Sequence, residues 1–148
     1  MSIYAKYEFM DVPKVSGILE TALYVDDLKV STSFYKTIFQ FETLFADERL
    51  CALNVSNRQV LLLFLKRGSN IAMTSSVGVI PPHDGNGNLH FAFSMAASEL
   101  ETWEDWLHEN EVAIESTVKW TRGGISLYFR DPDNHLLELV TPGIWKIY

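Results

Sequence analysis

Three residues of the chain, Glu20, His90 and Glu138, have side chains that could together hold a metal ion. Glu138 lies in an otherwise apolar stretch, residues 136–140. A carboxylate buried among apolar side chains is costly unless it is paired, protonated or bound to a metal. One imidazole and two carboxylates suit a divalent first-row ion. Fe, Mn, Zn, Ni and Co are all candidates, because the order of affinities alone does not select one.

Each of these residues also has a structural interpretation. Glu20 could be a surface-facing or hydrogen-bonded strand residue, and a histidine such as His90 is, by itself, more often structural than a ligand. Their positions favour the metal-binding interpretation over the structural one, because Glu20 and His90 each lie five residues before the end of a predicted strand. The spacing therefore predicts that one structural unit, present twice, carries both residues.

The first copy of this unit begins with a strand over residues 18–25. Asp26 and Asp27 follow it, and either carboxylate can cap a helix, which we predict over residues 28–40. Runs rich in apolar and β-branched residues then predict three strands, over residues 41–46, 50–55 and 59–65.

The second copy has the same order of elements. A strand is predicted over residues 88–95, and a capping-box pattern at residues 98–101 opens a helix. Three strands follow, over residues 112–118, 125–130 and 135–140, and an Asp-Pro-Asp-Asn turn separates the last two.

The segment between the two copies is rich in Gly, Ser, Asn and Pro, which are typical of turns and loops. We interpret residues 67–87 as a linker. The sequence therefore predicts an α+β fold, in which residues 1–148 form a single domain with two βαβββ modules, at residues 16–66 and 88–142.

Composition excludes several classes of partner. The net charge is −7, and no Lys or Arg occurs from residue 68 to residue 118. Nucleic acids and anionic membranes are bound through clusters of basic residues, so neither is an expected partner.

A single cysteine, Cys51, permits no internal disulfide and no thiolate cluster, and its apolar neighbours predict a core position. Residues 1–14 lack the apolar region of a secretory signal, so we expect a cytoplasmic protein.

Several stretches together resemble the vicinal oxygen chelate superfamily, which includes glyoxalase I, bleomycin-resistance proteins, fosfomycin-resistance enzymes and ring-cleaving dioxygenases. The stretches that carry the resemblance are Leu-Tyr-Val-Asp-Asp-Leu at residues 23–28 with Phe34-Tyr35, residues 89–93, and Phe-Arg-Asp-Pro-Asp-Asn at residues 129–134 with Leu-Glu-Leu at 137–139.

The resemblance implies that the two modules form an open half-barrel sheet around a metal. The metal would be held by the first strand of each module and by the last strand of one or both. Many relatives have His at the place of Glu20, whereas His90 and Glu138 agree with the common pattern. Leu62 stands where glyoxalase I has a fourth ligand, so three protein ligands would leave positions open for a bidentate oxygen substrate. A homodimer is also expected from the resemblance.

Candidate substrate-binding residues lie close to these ligands in the pattern. Tyr24 and Ser94 share strand faces with Glu20 and His90, because side chains alternate along a strand. Tyr128 is a further lining candidate. Arg122 precedes two glycines and could pair with an anionic substrate group or be a surface charge. His83, His108 and His135 are not predicted as ligands, although His83 could reach the site as part of a lid.

Two functions are compatible with these residues. The first is a metal-dependent lyase, isomerase or dioxygenase that acts on a small substrate chelating the metal through neighbouring oxygens, with Glu20 as a candidate base. The second is a bleomycin-resistance-type protein that binds and sequesters a small aromatic or drug-like ligand without catalysis. Fold resemblance does not choose between them, because function depends on the site.

Overall fold

The computed structural model describes residues 12–148. The prediction that residues 1–14 contain no secretory signal concerns a segment that lies mostly outside the described residues. The elements are β1 (Glu20–Val25), α1 (Leu28–Phe39), β2 (Glu42–Ala46), β3 (Leu50–Val55), β4 (Gln59–Leu65), β5 (Met73–Ser75), β6 (Gly78–Ile80), β7 (His90–Ser94), α2 (Leu100–Glu109), β8 (Ser116–Lys119), β9 (Ile125–Arg130) and β10 (Leu136–Val140). No helix among residues 12–148 combines the length and apolar character needed to cross a membrane.

Each module forms its own four-stranded sheet. The strand order is β1-β4-β3-β2 in the first and β7-β10-β9-β8 in the second. In both sheets the first strand of the module pairs in parallel with the last, and the remaining pairs are antiparallel. The prediction of an α+β fold built from two βαβββ modules is confirmed. Among residues 12–148, the strands β1 and β7, which carry Glu20 and His90, are edge strands of their sheets.

The strand register shows which positions of the two modules correspond. Ala22 pairs with Leu62 in the first sheet, and Ala92 pairs with Glu138 in the second. Leu62 therefore occupies the place that Glu138 holds in the other module, as the sequence indicates. Of the two last strands, β4 contains no carboxylate, whereas β10 contains Glu138.

The helix ends follow local chemistry. The Asp27 carboxylate accepts a hydrogen bond from the Val30 amide at 3.0 Å and caps α1, as predicted. Helix α1 ends at Gln40, which adopts the left-handed conformation. The capping box predicted at residues 98–101 does not form, because residues 97–99 make a 3-10 turn and Glu99 precedes α2 without a side-chain cap.

Two predicted segments differ in the structure. Strand β8 begins at Ser116 rather than at residue 112. Glu111 adopts a positive φ of 58°, and the amide of Val112 bonds to the carbonyl of Leu107 at 2.8 Å, so this segment terminates α2 instead of extending β8. The linker contains the short hairpin β5–β6, whose strands are only three residues long.

One buried apolar cluster contains residues of both modules. Leu23, Leu63 and Tyr35 of the first module belong to the same cluster as Phe129 and Leu137 of the second. Cys51 is also buried in it, as predicted. Because the apolar faces of both sheets are used in this cluster, the opposite faces remain free to line cavities.

Candidate metal site

His90 and Glu138 meet on the face of the second sheet that points away from the core. Nε2 of His90 lies 3.2 Å from Oε2 of Glu138. The Glu138 side chain is only 4% exposed, whereas that of His90 is 51% exposed. The pair therefore consists of a buried carboxylate and an imidazole that opens towards solvent.

A backbone hydrogen bond orients the imidazole of His90. Its Nδ1 donates to the carbonyl of Leu136 at 3.0 Å. A carbonyl oxygen can only accept, so Nδ1 carries a proton, and Nε2 is the ring nitrogen that points towards Glu138. Histidines that bind metals are commonly held by a bond of this kind at the other ring nitrogen.

Two further side chains hold Glu138. The hydroxyl of Ser126 donates to Oε1 of Glu138 at 2.5 Å, and the indole Nε1 of Trp120 donates to that hydroxyl at 2.7 Å. Sequence analysis missed both residues. The strand register contains the signal, because Ser126 lies two residues from Tyr128, which pairs directly with Glu138. Ser126 therefore shares the face of the carboxylate.

Tyr128, a candidate lining residue in the sequence, lies beside the pair. Its ring centroid is 6.2 Å from that of His90. Burial, followed by the negative charge of Glu138, raises the pKa of the Tyr128 phenol above its ordinary value. The phenol therefore remains a neutral hydrogen-bonding group at physiological pH.

The spacing of the two donor atoms fits a divalent ion. Ligand bonds to such ions are about 2.0–2.2 Å long, so two donor atoms 3.2 Å apart are close enough to bind the same ion. The buried carboxylate of Glu138 and the oriented imidazole of His90 are therefore two residues that would hold a divalent ion.

Glu20, the third predicted ligand, is placed elsewhere in the subunit. It is exposed and lines a cavity of about 690 Å³ on the first sheet, together with Tyr24, Leu62 and Phe64. Among residues 12–148 of one chain, no group of three or more His, Cys, Asp or Glu residues is arranged to hold a metal. A single subunit therefore brings together two of the three predicted ligands.

Tyr24 faces the same cavity as Glu20. Its hydroxyl and Nδ1 of His83 share a hydrogen bond of 2.9 Å, so the linker histidine does reach this cavity. Gly85 packs on the tyrosine ring so closely that a Cβ there would lie 2.2 Å from a ring carbon. Burial, followed by the charge of Asp84, raises the pKa of Tyr24. The linker thus closes one end of the cavity.

The remaining predicted residues lie apart from these groups. Ser94 is exposed at the end of β7 and lines a different cavity with Phe39 and Phe41. Arg122 is exposed in the turn between β8 and β9. His135 is buried and structural, because its Nδ1 accepts from the Leu89 amide and its Nε2 donates to a backbone carbonyl.

Comparisons with known proteins identify the class. Residues 17–139 match the family described as the Glyoxalase/Bleomycin resistance protein/Dioxygenase superfamily. This match covers most of the chain, and the protein belongs to that superfamily. The resemblance inferred from sequence motifs is confirmed.

Several relatives in the family are enzymes. Metallothiol transferase FosB of Staphylococcus haemolyticus is 30% identical, over 86% of this chain and 84% of its own length. FosB of Bacillus licheniformis is 28% identical, over 92% of this chain and 82% of its own length. The crystal structure of a lactoylglutathione lyase from Agrobacterium tumefaciens has a TM-score of 0.82 and 32% identity, over 90% of this chain and 99% of its own. These comparisons indicate an enzyme of the glyoxalase superfamily.

Proposed function

We propose that this protein is a metal-dependent enzyme whose single divalent ion is held by Glu20, His90 and Glu138, and whose small substrate binds the ion through two neighbouring oxygens. The observation that carries the proposal is the pair of His90 and Glu138, with donor atoms 3.2 Å apart. Both members are already oriented, one by the Leu136 carbonyl and the other by Ser126. Such preorganisation is characteristic of ligand sites.

Within this proposal the third ligand is Glu20 of the partner subunit in a homodimer. Glu20 and His90 both lie on edge strands, which present unpaired backbone groups and favour association. Ile18 and Leu19, just before β1, are 69% and 68% exposed and would add apolar surface to an interface formed along this strand. Twofold pairing that brings β1 of one subunit beside β7 of the other would complete two equivalent sites.

The protein groups around such a site have distinct tasks. A bound divalent ion would supply Lewis-acid stabilisation of negative charge on substrate oxygen. Ser126 and Trp120 hold Glu138 in one orientation, and Tyr128 offers a neutral hydroxyl nearby. Glu20 is also the candidate base: it would have to leave the ion to accept a proton from substrate, and its exposure in the cavity gives it room to do so. The FosB and lyase relatives make thiol transfer and glyoxalase chemistry the first reactions to assay.

Metal content tests this proposal directly. Protein purified without chelator or polyhistidine tag is expected to contain about one divalent ion per subunit. Stripped protein should regain thermal stability on addition of the correct ion, by about 2.7 kcal/mol at a hundred times its Kd. Absence of bound metal, together with no thermal shift from Mn, Fe, Co, Ni or Zn, would contradict the proposal. Tight binding of a small molecule that is unaffected by Glu138→Ala and gives no turnover would instead support sequestration.

The support given by Ser126 leads to a second expected result. Ser126→Ala should weaken metal affinity roughly tenfold to a hundredfold, because Glu138 loses the bond that fixes its orientation. Titration of stripped protein with the metal, followed by calorimetry, measures this change. Ser33→Ala, on the exposed side of α1, is the matched control and should leave the affinity unchanged. Equal affinities for the two variants would show that Ser126 does not position the ligand.

A further inference from the structure

The cavity on the first sheet has two chemically different ends. Glu20 and Tyr24 are four residues apart on one face of β1, which corresponds to about 13 Å along the strand. Tyr24 pairs with Phe64, and Phe64 pairs in turn with Leu50. Arg49, which precedes Leu50, therefore lies at the Tyr24 end of the cavity, far from Glu20.

Arg49 brings a positive charge into this largely apolar wall. Its Nη1 donates to Oγ of the buried Ser69 at 2.7 Å, and its Nη2 makes a long contact of 3.4 Å with Sδ of Met73. The guanidinium carbon lies 6.0 Å from the centre of the Phe64 ring. Arginine has five N–H donors, so three are left without a protein acceptor among residues 12–148.

No acidic side chain among the described residues forms an ion pair with Arg49. Asp47 lines the same cavity, but its Oδ1 accepts the backbone amides of Arg49 and Leu50, each at 2.8 Å. That carboxylate therefore shapes the turn before β3. A partly buried guanidinium with neutral partners is suited to bind an oxyanion through paired, charge-assisted hydrogen bonds.

Ser69 connects Arg49 to the Tyr24–His83 pair. Its hydroxyl accepts from Arg49, and its carbonyl accepts the amide of His83 at 2.9 Å. The rings of Tyr24 and His83 both pack against Phe64, with centroid distances of 5.9 and 4.6 Å. Cation, phenol and imidazole are thereby held around one aromatic ring at the same end of the cavity.

We propose that this end of the cavity binds an oxyanion, in the first place a carboxylate, and that Arg49 is its principal recognition residue. The inference deepens the proposed function, because it predicts a substrate with metal-binding oxygens at one end, an apolar middle and an anionic group at the other. Leu62 and Phe45 line the wall between the two ends and suit the apolar part. Recognition of the anion itself does not depend on the metal.

Probe binding to metal-stripped protein tests the anion site separately. Calorimetry is carried out with 3-phenylpropionate, with its neutral amide, and with 2-phenylethylphosphonate as a second oxyanion. The carboxylate should bind at least tenfold more tightly than the amide, and Arg49→Gln should remove that preference by weakening carboxylate binding roughly tenfold to a hundredfold. Arg58→Gln, in the exposed turn after β3, is the control and should bind the carboxylate as the wild type does. Preference for carboxylate or phosphonate identifies the oxyanion, and either preference supports the site.

The outcomes separate this inference from the proposed metal function. Equal binding of acid and amide by a protein that still takes up metal would overturn the anion site alone. Carboxylate binding that depends on Arg49, in a protein that takes up no metal, would overturn the metal proposal alone. Arg49→Lys keeps the charge but not the paired donors and should give an intermediate affinity. Thermal unfolding of each variant shows that a loss of binding does not arise from a loss of fold.

Discussion

Heterodimers made of one Glu20→Gln subunit and one Glu138→Gln subunit are expected to hold about half as much metal as the wild-type dimer, because one of two symmetric sites keeps all three ligands. The homodimer of each variant should hold almost none. The intact site of the heterodimer uses Glu20 from the Glu138→Gln subunit, and His90 with Glu138 from the other. The second site loses both carboxylates.

This expected result follows from the separation of the ligands in one chain. His90 and Glu138 are in contact, whereas Glu20 lines a cavity on the other sheet. If all three ligands came from a single subunit, each chain of the heterodimer would still lack one carboxylate. Metal content would then stay at the level of the two variant homodimers.

Each subunit carries a different affinity tag, and two successive purifications isolate the heterodimer. After the tags are removed, mass spectrometry measures its metal content. Turnover is measured on the same samples. The control is a heterodimer of one wild-type subunit and one Glu42→Gln subunit, which changes an exposed carboxylate on β2 and should retain full metal content. A Glu20→Gln homodimer with normal metal content would remove Glu20 from the ligand set. A protein that is monomeric at all concentrations would refute the shared site.

Replacement of Asp131 by Ala is expected to lower the free energy of unfolding by about 3 kcal/mol. Asp131 is buried, and its Oδ2 accepts the Tyr35 hydroxyl at 2.7 Å. Its Oδ1 accepts the amides of Asp133 and His135 at 3.0 and 2.8 Å. Truncation leaves the Tyr35 hydroxyl and the His135 amide buried without acceptors, and the fully buried Tyr35 cannot turn to water.

The Asp131–Tyr35 bond joins helix α1 of the first module to the β9–β10 turn of the second. Burial raises the pKa of Asp131, and the hydrogen bonds from Tyr35 and His135 oppose that rise. Urea unfolding at one fixed protein concentration measures the effect, since association would otherwise change the apparent stability. Asp105→Ala, on the exposed side of α2, should change stability by no more than about 0.5 kcal/mol. Similar losses in both variants would contradict a specific role for Asp131.

Local sequence patterns predicted most of the fold correctly, because the signals they use act over a few residues. Runs rich in apolar and β-branched residues mark the strands, and the Asp27 carboxylate caps the helix that follows β1. Predictions were wrong where a local signal met a competing contact. The capping box before α2 gave way to a 3-10 turn, and the start of β8 was displaced by the turn that ends α2.

Some residues of the candidate sites could be predicted from the sequence, and others could not. The sequence was sufficient to indicate Glu20, His90 and Glu138 as candidates, because Glu20 and His90 hold the same place in the two modules and Glu138 is a carboxylate in an otherwise apolar strand. It did not indicate Ser126 or Arg49, whose contacts depend on cross-strand register and on the fold of the linker. Alternation places Ser126 on the face of Tyr128, but only the pairing of β9 with β10 brings its hydroxyl to Glu138, and no local pattern marks Arg49.

The amino-acid sequence was enough to predict the two modules, their strands and helices, and the residue types available for chemistry. The contact of His90 with Glu138, and the position of Glu20 in a cavity on the other sheet, are properties of the tertiary structure. Side-chain direction along a strand follows from backbone geometry within a few residues. The relative placement of two sheets follows instead from how a shared apolar cluster is buried and how contacts such as Tyr35–Asp131 are satisfied. Those interactions join residues far apart in the chain, and no local pattern encodes them.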